Sequence, residues 1–362
     1  MRCVVSIDWL ALFCRIPTGS FSVSAKTKTP SEYSRPWSIK CMDYGTRQFR
    51  EFHRVALDNN DFCEIQSAPY SDIIEADKCI VRVVNERLYT PSMWYDLTTF
   101  LDEFGLDVVS ISRVDLCGDF NRFNNYECIP FIKDFLAGVI RHKGRGKGAS
   151  YFDHRAKIVN GCSRSYVKYS GLSFGANNSD VRVYLYNKTF ELQTVKDKPY
   201  IKQLWRETGL DVTRDVWRLE VSIKSGGRKF KDFITGAKKE ITHTDLTDVE
   251  ELEKLYFTFV QKYFAFIKNR PNITNITREP LLELFGLHDL YIHRVIPSQS
   301  GGNRMERIII KKLWQMADTY RGNDICTDEG LTKDLAVGLA KTTGLDEWLI
   351  KKSRTWEKPR RK

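Results

Sequence analysis

Three apolar segments that read as β-strands carry polar side chains at alternate positions, and this pattern most narrows the folds open to the chain. They are residues 111–120 (ISRVDLCGDF), 181–192 (VRVYLYNKTFEL) and 216–224 (VWRLEVSIK). Because successive side chains of a strand point to opposite faces, Arg113, Asp115 and Asp119 share one face of the first segment. An acid inside an apolar strand must be paired or bind a cation. The first segment therefore predicts either an Arg113–Asp115 ion pair or a cation site.

The other two segments repeat the pattern with different chemistry. Tyr184, Tyr186 and Lys188 share one face of the second segment, with Arg182 beside them; Arg218, Glu220 and Ser222 share one face of the third. A weaker example is Glu64 within residues 62–69 (FCEIQSAP). Taken singly, each is compatible with an ordinary structural strand. Taken together, they indicate a catalytic site. The carboxylates can hold a divalent cation through their oxygens, and a nearby strand tyrosine can then attack a phosphodiester.

The remaining pattern is β-rich without strict alternation of strands and helices, which favours an α+β fold with an antiparallel sheet backed by helices. Further strands are predicted at residues 3–13, 47–57, 61–67, 79–84 and 163–169, and helices at 91–105, 126–140 and 200–207. After residue 236 the pattern is helical, at 252–267, 305–320, 331–341 and 346–352. We therefore expect two domains, residues 1–235 and 236–362.

Charge and cysteine content limit the function classes. The chain has 57 Lys and Arg against 46 Asp and Glu, a net charge of +11, which favours a polyanionic partner such as nucleic acid. The nine cysteines include no C-x-x-C pair, which is typical of free thiols in a reducing cytosol. No apolar run reaches the length of a membrane span and no signal-peptide pattern begins the chain, so we expect a cytoplasmic protein without a membrane partner.

Basic segments give further candidate contacts to DNA. Residues 141–150 form a Gly-rich stretch with Arg141, Lys143, Arg145 and Lys147, predicted as a flexible loop that either clamps phosphates or is simply solvated. Residues 351–362 form a basic tail, and residues 327–353 have the helix–Gly–helix pattern of a possible helix-turn-helix. The aromatic helix at 252–267 is expected to be core or a homodimer interface.

The order and spacing of RVD, YNKTFELQ and WRLEVSIK resemble the rolling-circle replication initiators, and most closely the filamentous-phage gene II replication proteins and the Rep_trans plasmid initiators. The segments SIDWLALF and FCEIQSAP are also similar to gene II-type proteins, so the resemblance covers residues 3–225. It implies a replication-initiator palm with ferredoxin- or RRM-like units. It also implies nicking of one origin strand in a bacterial cytoplasm through a tyrosine linked to the 5′ phosphate, with later rejoining and with host helicase and polymerase as partners.

Residue by residue, the resemblance implies that Tyr186 is the nucleophile, with Tyr184 as the alternative. Lys188 would steady the phosphate charge, and Glu191 would orient Tyr186 or accept its proton. Mg²⁺ or Mn²⁺ would be bound by Asp115 and Glu220, with Glu64 as a possible third ligand. Arg113, Arg182 and Arg218 would contact DNA phosphates, or Arg113 and Arg218 would pair with the acids. None of the six histidines forms the His–apolar–His metal motif of better-known nickases, so the metal would depend on carboxylates.

Two other functions remain open. A mobilisation relaxase of a conjugative element would use the same chemistry at a transfer origin. A non-catalytic DNA-binding repressor would not need Tyr186, Asp115 and Glu220 to converge. No G-x-x-x-x-G-K-[ST] loop occurs in the chain, which argues against a built-in helicase.

Overall fold

A large antiparallel sheet organises the part of the chain that the computed structural model describes, which is residues 2–16, 21, 34–70, 74–143, 150–152, 156–159, 162–165, 171–176, 179–270, 279–286, 292–296, 304–321, 326–343, 345, 348–350 and 352–353. The strands are β1 Val4–Arg15, β2 Trp37–Cys41, β3 Phe49–Leu57, β4 Asn60–Pro69, β5 Lys78–Val83, β6 Asp107–Phe120, β7 Ile140–His142, β8 Ser150–Phe152, β9 Ala156–Val159, β10 Cys162–Ser165, β11 Gly171–Phe174, β12 Val181–Asn187, β13 Trp217–Lys224, β14 Lys229–Lys231, β15 Lys238–Glu240, β16 Phe266–Lys268 and β17 Arg294–Val295. The helices are α1 Met93–Glu103, α2 Cys128–Leu136, α3 Lys188–Thr194, α4 Pro199–Glu207, α5 Val249–Tyr263, α6 Arg304–Arg321 and α7 Cys326–Thr342.

Ten of these strands pair in the order β2-β3-β4-β5-β1-β6-β13-β12-β11-β8. The N-terminal strand β1 is central, antiparallel to β5 on one side and to β6 on the other. Its backbone hydrogen-bonding groups are therefore paired along both edges. The predicted α+β class with an antiparallel sheet is therefore confirmed.

One face of the sheet is apolar and packs against helices. Leu116 of β6 and Leu219 of β13 belong to a core that also takes in α1 and α5. The Tyr256 hydroxyl of α5 donates a hydrogen bond to the carbonyl oxygen of Leu219 at 3.1 Å. Gly118 permits this approach, because a Cβ there would lie 2.5 Å from the Tyr256 hydroxyl oxygen. The aromatic helix predicted at 252–267 is thus a core helix, although it ends at Tyr263.

The opposite face carries the alternating polar side chains, and α3 and α4 cover one end of it. A second apolar cluster forms beneath these two helices: Val4, Leu192, Ile201, Trp205, Leu210 and Val216. The end of the polar face under α3 and α4 is therefore shielded from water, which matters for the charges placed there.

The domain boundary predicted at residues 235/236 is wrong. The helix α5 and the strand β17, which follow that boundary, contribute Leu255 and Val295 to the same core as the ten-stranded sheet. The strand β17 also pairs with β14, which precedes the boundary. The last helices form an apolar cluster of their own, where Ile310 and Trp314 of α6 pack with Ala336 of α7 and with later residues. Amphipathic periodicity showed that α5 has an apolar face, but not which core that face joins.

Two smaller expectations also change. The helix predicted at 126–140 ends at Leu136, and the following residues form β7, which pairs with β16. Arg141 therefore lies in a strand and not in a flexible loop, while residues 144–149, with Arg145 and Lys147, lie outside the described part of the chain. None of the helices that the structure describes has the length and apolar character needed to cross a membrane.

Replacing Gly118 with Ala is expected to lower the free energy of unfolding by about 1–3 kcal/mol, because the new methyl group overlaps the Tyr256 ring and the Cys3 sulfur. Gly338→Ala is the matched control, since a Cβ at that exposed helical position meets nothing within 4 Å. It should leave stability unchanged or raise it by up to about 1 kcal/mol. Urea unfolding of both variants measures the difference, and equal stabilities would contradict the packing described.

Candidate active site

The three polar segments lie on adjacent strands and form one continuous surface. On β6 and β13, Asp115 is opposite Ser222, Cys117 is opposite Glu220 and Asp119 is opposite Arg218. On β12, Tyr184 is opposite Glu220 and Tyr186 is opposite Arg218. Because neighbouring strands are about 4.8 Å apart, this register brings Asp115, Glu220 and Tyr186 together, as the sequence predicted.

Tyr186 and Glu220 are directly bonded. The Tyr186 hydroxyl donates a hydrogen bond to Glu220 Oε2 at 3.0 Å, and the tyrosine is only 8% exposed. Burial, followed by the neighbouring Asp115 and Asp8 charges, raises the pKa of Glu220 to about 7. Burial and the Glu220 charge also raise the pKa of Tyr186 well above its ordinary value. The Tyr186 hydroxyl proton therefore points at a carboxylate with a pKa near neutrality, which is the arrangement that a general base requires.

Asp115 is buried and paired with an arginine on its own strand. Arg113 Nε donates to Asp115 Oδ1 at 2.9 Å, and its Nη2 donates to the other carboxylate oxygen. Burial raises the pKa of Asp115 and the Arg113 contact opposes this rise. The Arg113 side chain keeps 38% of its surface exposed, so it pairs with the acid while facing the surface.

The sequence analysis missed a third carboxylate at this site, Asp8 of β1. The pairing of β1 with β6 shifts register between Ile7 and Trp9, so Asp8 lies in a bulge beside the polar residues of β6. Its Oδ1 accepts hydrogen bonds from the Tyr89 hydroxyl at 2.7 Å and from Arg218 Nη1 at 2.6 Å. Burial works to raise the pKa of Asp8, but the Arg218, Lys188 and Lys198 charges hold it well below its ordinary value. The available signal was an acid in the middle of the apolar segment CVVSIDWLALF.

Arg218 is the buried centre of an ion network, so its assignment as a DNA-binding residue is wrong. Its Nε and Nη2 donate to the two carboxylate oxygens of Asp119 at 2.7 Å each, and its Nη1 donates to Asp8. The Trp205 indole of α4 donates to Asp119 Oδ2 at 2.7 Å. Because Arg218 is 0% exposed, it has no surface to offer a phosphate. It pairs with acids, but with Asp8 and Asp119 rather than with Asp115 and Glu220.

Lys188 and Glu191 lie at the turn from β12 into α3. Asn187 caps the helix by accepting a hydrogen bond from the Phe190 backbone N–H at 2.9 Å, which fixes the direction of Lys188. The Lys188 ammonium is buried, 2.6 Å from Glu191 Oε2 and 5.4 Å from the centre of the Tyr186 ring. Glu191 thus binds Lys188, while Glu220 accepts the hydrogen bond of the Tyr186 hydroxyl.

Glu64 does not join the other carboxylates. Its strand β4 is separated from β6 by β5 and β1, which places it about 14 Å from the β6 axis. It is paired with Arg82, its neighbour on β5. The prediction of Glu64 as a third metal ligand is therefore wrong. Among the residues with described side chains, no group of three or more Asp, Glu, His or Cys is placed to hold a metal ion.

Tyr184 and Arg182 lie next to the Tyr186–Glu220 pair, on the same face of β12. The Arg182 guanidinium stacks on the Tyr184 ring, 4.7 Å from its centre. Burial raises the pKa of Tyr184, and the Arg182 charge opposes this rise. Tyr184 is more exposed than Tyr186, so it remains the natural comparison in any test of the nucleophile.

A cavity of about 260 Å³ opens on the same polar face, beside Asp8, and its lining includes Trp9, Arg54 and Arg82. The Trp9 indole lies between two guanidinium groups, those of Arg82 and Arg113, each 4.6 Å from its ring centre. Arg113 and the Trp9 ring thus place a part-exposed cation beside an aromatic group, the chemistry that favours contact with phosphates and bases. The cavity lining also includes the acids Asp61 and Glu64.

No protein-family model and no curated protein sequence matches the chain. Among solved structures, it is similar to a rolling circle replication initiator protein from Geobacillus stearothermophilus, with 16% sequence identity and a TM-score of 0.43. The match covers 78% of this chain and 93% of that one.

Replacing Arg218 with Met is expected to lower the free energy of unfolding by about 3–5 kcal/mol, because two buried carboxylates then lose their cation. Arg122→Met is the matched control, since Arg122 is half exposed and forms a surface pair with Glu127 at 3.4 Å. It should cost less than about 1 kcal/mol. Chemical denaturation measures the free energy of unfolding of both variants. Equal losses would contradict the claim that the buried carboxylates depend on Arg218.

The raised pKa of Glu220 predicts a pH dependence of stability. Because its folded-state pKa is about 7 against an ordinary value of 4.5, its contribution is complete below about pH 4.5 and is lost as the pH rises through 7. Glu220→Gln keeps a hydrogen-bond acceptor for Tyr186 but does not titrate. The variant should be more stable than wild type at pH 8 by roughly 1–2 kcal/mol, a figure reduced for the partial exposure of Glu220. Urea unfolding from pH 4 to 8 tests this, and parallel curves for the two proteins would rule it out.

Proposed function

We propose that the protein nicks and rejoins one strand of DNA through a phosphotyrosine at Tyr186, as a rolling-circle replication initiator. The observation that carries the proposal is the 3.0 Å hydrogen bond from the Tyr186 hydroxyl to Glu220, whose pKa is about 7. Tyrosine is a weak nucleophile at neutral pH unless a neighbouring base takes its proton. The resemblance of RVD, YNKTFELQ and WRLEVSIK to initiator motifs supports the same reading.

In the proposed reaction, ionised Glu220 takes the Tyr186 hydroxyl proton as the phenolic oxygen attacks phosphorus. The phenolic oxygen becomes bonded to the phosphorus of the 5′ phosphate, which stays on the strand segment downstream of the nick, and the bond between that phosphorus and the 3′ oxygen of the upstream segment breaks. The departing 3′ oxygen receives the proton held by Glu220, which leaves a free 3′ hydroxyl. Rejoining is the reverse exchange, so one phosphodiester replaces another and no nucleotide hydrolysis is needed.

The carboxylates suit a hard divalent cation. Mg²⁺ is commonly held by one or two protein carboxylates together with water and substrate phosphate oxygens, so a cluster of three ligand side chains is not required. Asp115 would hold Mg²⁺ or Mn²⁺ together with the Oε1 atom of Glu220, with Asp8 nearby, since Glu220 Oε2 accepts the hydrogen bond of Tyr186. When bound, the metal would neutralise charge on the scissile phosphate.

DNA binding in this proposal depends on the polar face and on net charge. The part-exposed Arg113 and Arg182 lie beside the catalytic pair, and Arg141 and Lys143 lie near β7. We propose these residues as phosphate contacts, in a protein of net charge +11. Helicase and polymerase activities would come from the host. A relaxase acting at a transfer origin would use the same site, and the DNA sequence that is cut separates the two.

The decisive test is nicking of a supercoiled plasmid carrying the protein's own replicon, in Mg²⁺, Mn²⁺ or EDTA. Tyr186→Phe should reduce nicking by about a thousandfold or more, because the nucleophile is removed, and should abolish protein attached to the 5′ end. Tyr184→Phe is the matched control on the same strand face and should retain both. Nicking that depends on Tyr184 instead would move the nucleophile by two residues.

Binding to the origin without nicking by the wild-type protein in any metal would favour the repressor function and leave the carboxylates with a structural role. Nicking that persists in EDTA would remove the metal from the proposal while keeping the tyrosine. The first result would contradict the covalent step, whereas the second would contradict only the charge neutralisation by a metal.

A further inference from the structure

A small three-stranded sheet beyond the catalytic face has an uncommon charge arrangement. It has the strand order β15-β14-β17 and follows β13, the strand of Glu220, after a short turn at Ser225–Gly227. Lys231 of β14 is directly opposite Lys238 of β15 and also directly opposite Arg294 of β17. All three side chains are exposed, so three cations form a row across the sheet.

Such a row is unfavourable in the isolated protein. Side chains directly opposite each other on antiparallel strands are close enough to interact, and like charges there are destabilising. Within the described part of the chain, no carboxylate lies within ion-pair distance of Lys231, Lys238 or Arg294. The nearby Glu240 instead pairs with Arg228 and Lys229, each at 3.4 Å. The row is therefore best explained by a polyanion outside the chain.

The tip of the β14–β15 hairpin presents large apolar side chains to water. Ile234 is 87% exposed and Phe233 is 56% exposed. The turn that carries them is held by Asp232, whose Oδ1 accepts from the backbone N–H of Ile234 at 3.0 Å and of Thr235 at 2.8 Å. Lys239 donates to the other oxygen of Asp232 at 2.7 Å. The hydrogen bonds of Asp232 therefore fix the turn so that both apolar side chains face water. Exposure of apolar surface to water is unfavourable, and burial against a partner would remove this cost.

We propose that this hairpin is a DNA-opening wedge: Lys231, Lys238 and Arg294 bind the phosphates of a duplex, and Phe233 and Ile234 insert at a base step and unstack it. Cations that grip the backbone beside an apolar wedge are the combination by which proteins kink and locally open duplex DNA. The proposal rests on DNA being the substrate, as proposed above. It adds a way to expose a single strand to Tyr186, which is only 8% exposed.

The wedge is tested by DNA unwinding, which needs neither nicking nor a known origin. Closed circular plasmid is relaxed by a topoisomerase in the presence of the protein, with Tyr186→Phe as the background so that no strand is cut. This protein should lower the linking number of the plasmid. Adding Phe233→Ser and Ile234→Ser should abolish the shift, while Val249→Ser, which alters another residue with 71% exposure, should leave it intact.

The cation row is tested by the salt dependence of duplex binding. Losing two phosphate contacts in Lys231→Gln/Lys238→Gln should reduce the slope of log K against log salt by about 1.8 and weaken binding about 60-fold at 0.1 M salt. The same double variant should melt at a higher temperature than wild type, because the like-charge contacts are relieved. Lys40→Gln, an exposed lysine on the edge strand β2, is the control and should change neither.

The outcomes separate this proposal from the proposed function. Unwinding that is unchanged in the Phe233 and Ile234 variants overturns the wedge, even where nicking is intact. Nicking of supercoiled plasmid that falls in those variants while nicking of a single-stranded site is retained supports it. If the wild-type protein never nicks but its linking-number shift still requires the hairpin, then the nickase proposal fails and the wedge stands.

Discussion

The buried network of Arg218 with Asp119 and Asp8 is the interaction on which the arrangement of the site depends. It joins β13, β6 and β1 at the end of the polar face that α4 covers with Trp205. A buried ion group of this kind adds little net stability over an apolar core, but it leaves unpaired charge if the strands shift. It therefore fixes the position of β13, on which Glu220 lies two residues from Arg218. Tyr186 of β12 lies opposite Arg218 and bonds Glu220 diagonally.

Arg218 forms ion pairs with Asp8 and Asp119, and the other two carboxylates of the site differ in their partners. Asp115 has Arg113, whereas the bond that Glu220 receives from Tyr186 comes from a neutral hydroxyl. This imbalance, together with burial, raises the pKa of Glu220 to about 7. The carboxylate can thus exist in both protonation states near neutral pH, which is the property that a residue needs in order to accept a proton and later return it.

Period-two alternation, a local property of each strand, was enough to predict that Asp115, Glu220 and Tyr186 lie on polar strand faces, and the resemblance to initiator motifs indicated that they converge. It could not predict Glu64, since the sheet inserts β5 and β1 between β4 and β6 and strand order is non-local. Asp8 was missed because a bulge, not alternation, brings it to the site. The domain boundary failed for a similar reason: helical periodicity in α5 does not identify the core that it joins.

In the proposed reaction, the Arg113–Asp115 pair would link DNA binding to the chemistry. Arg113 is held by Asp115 and by the Trp9 ring, yet part of its side chain faces the surface. A phosphate bound beside Glu220 would compete with Asp115 for the same guanidinium group, because both are anions that prefer a bidentate contact. Drawing Arg113 towards the phosphate would free an oxygen of Asp115 for the proposed cation. We infer that the carboxylates are kept paired in the free protein and become available as ligands when DNA binds.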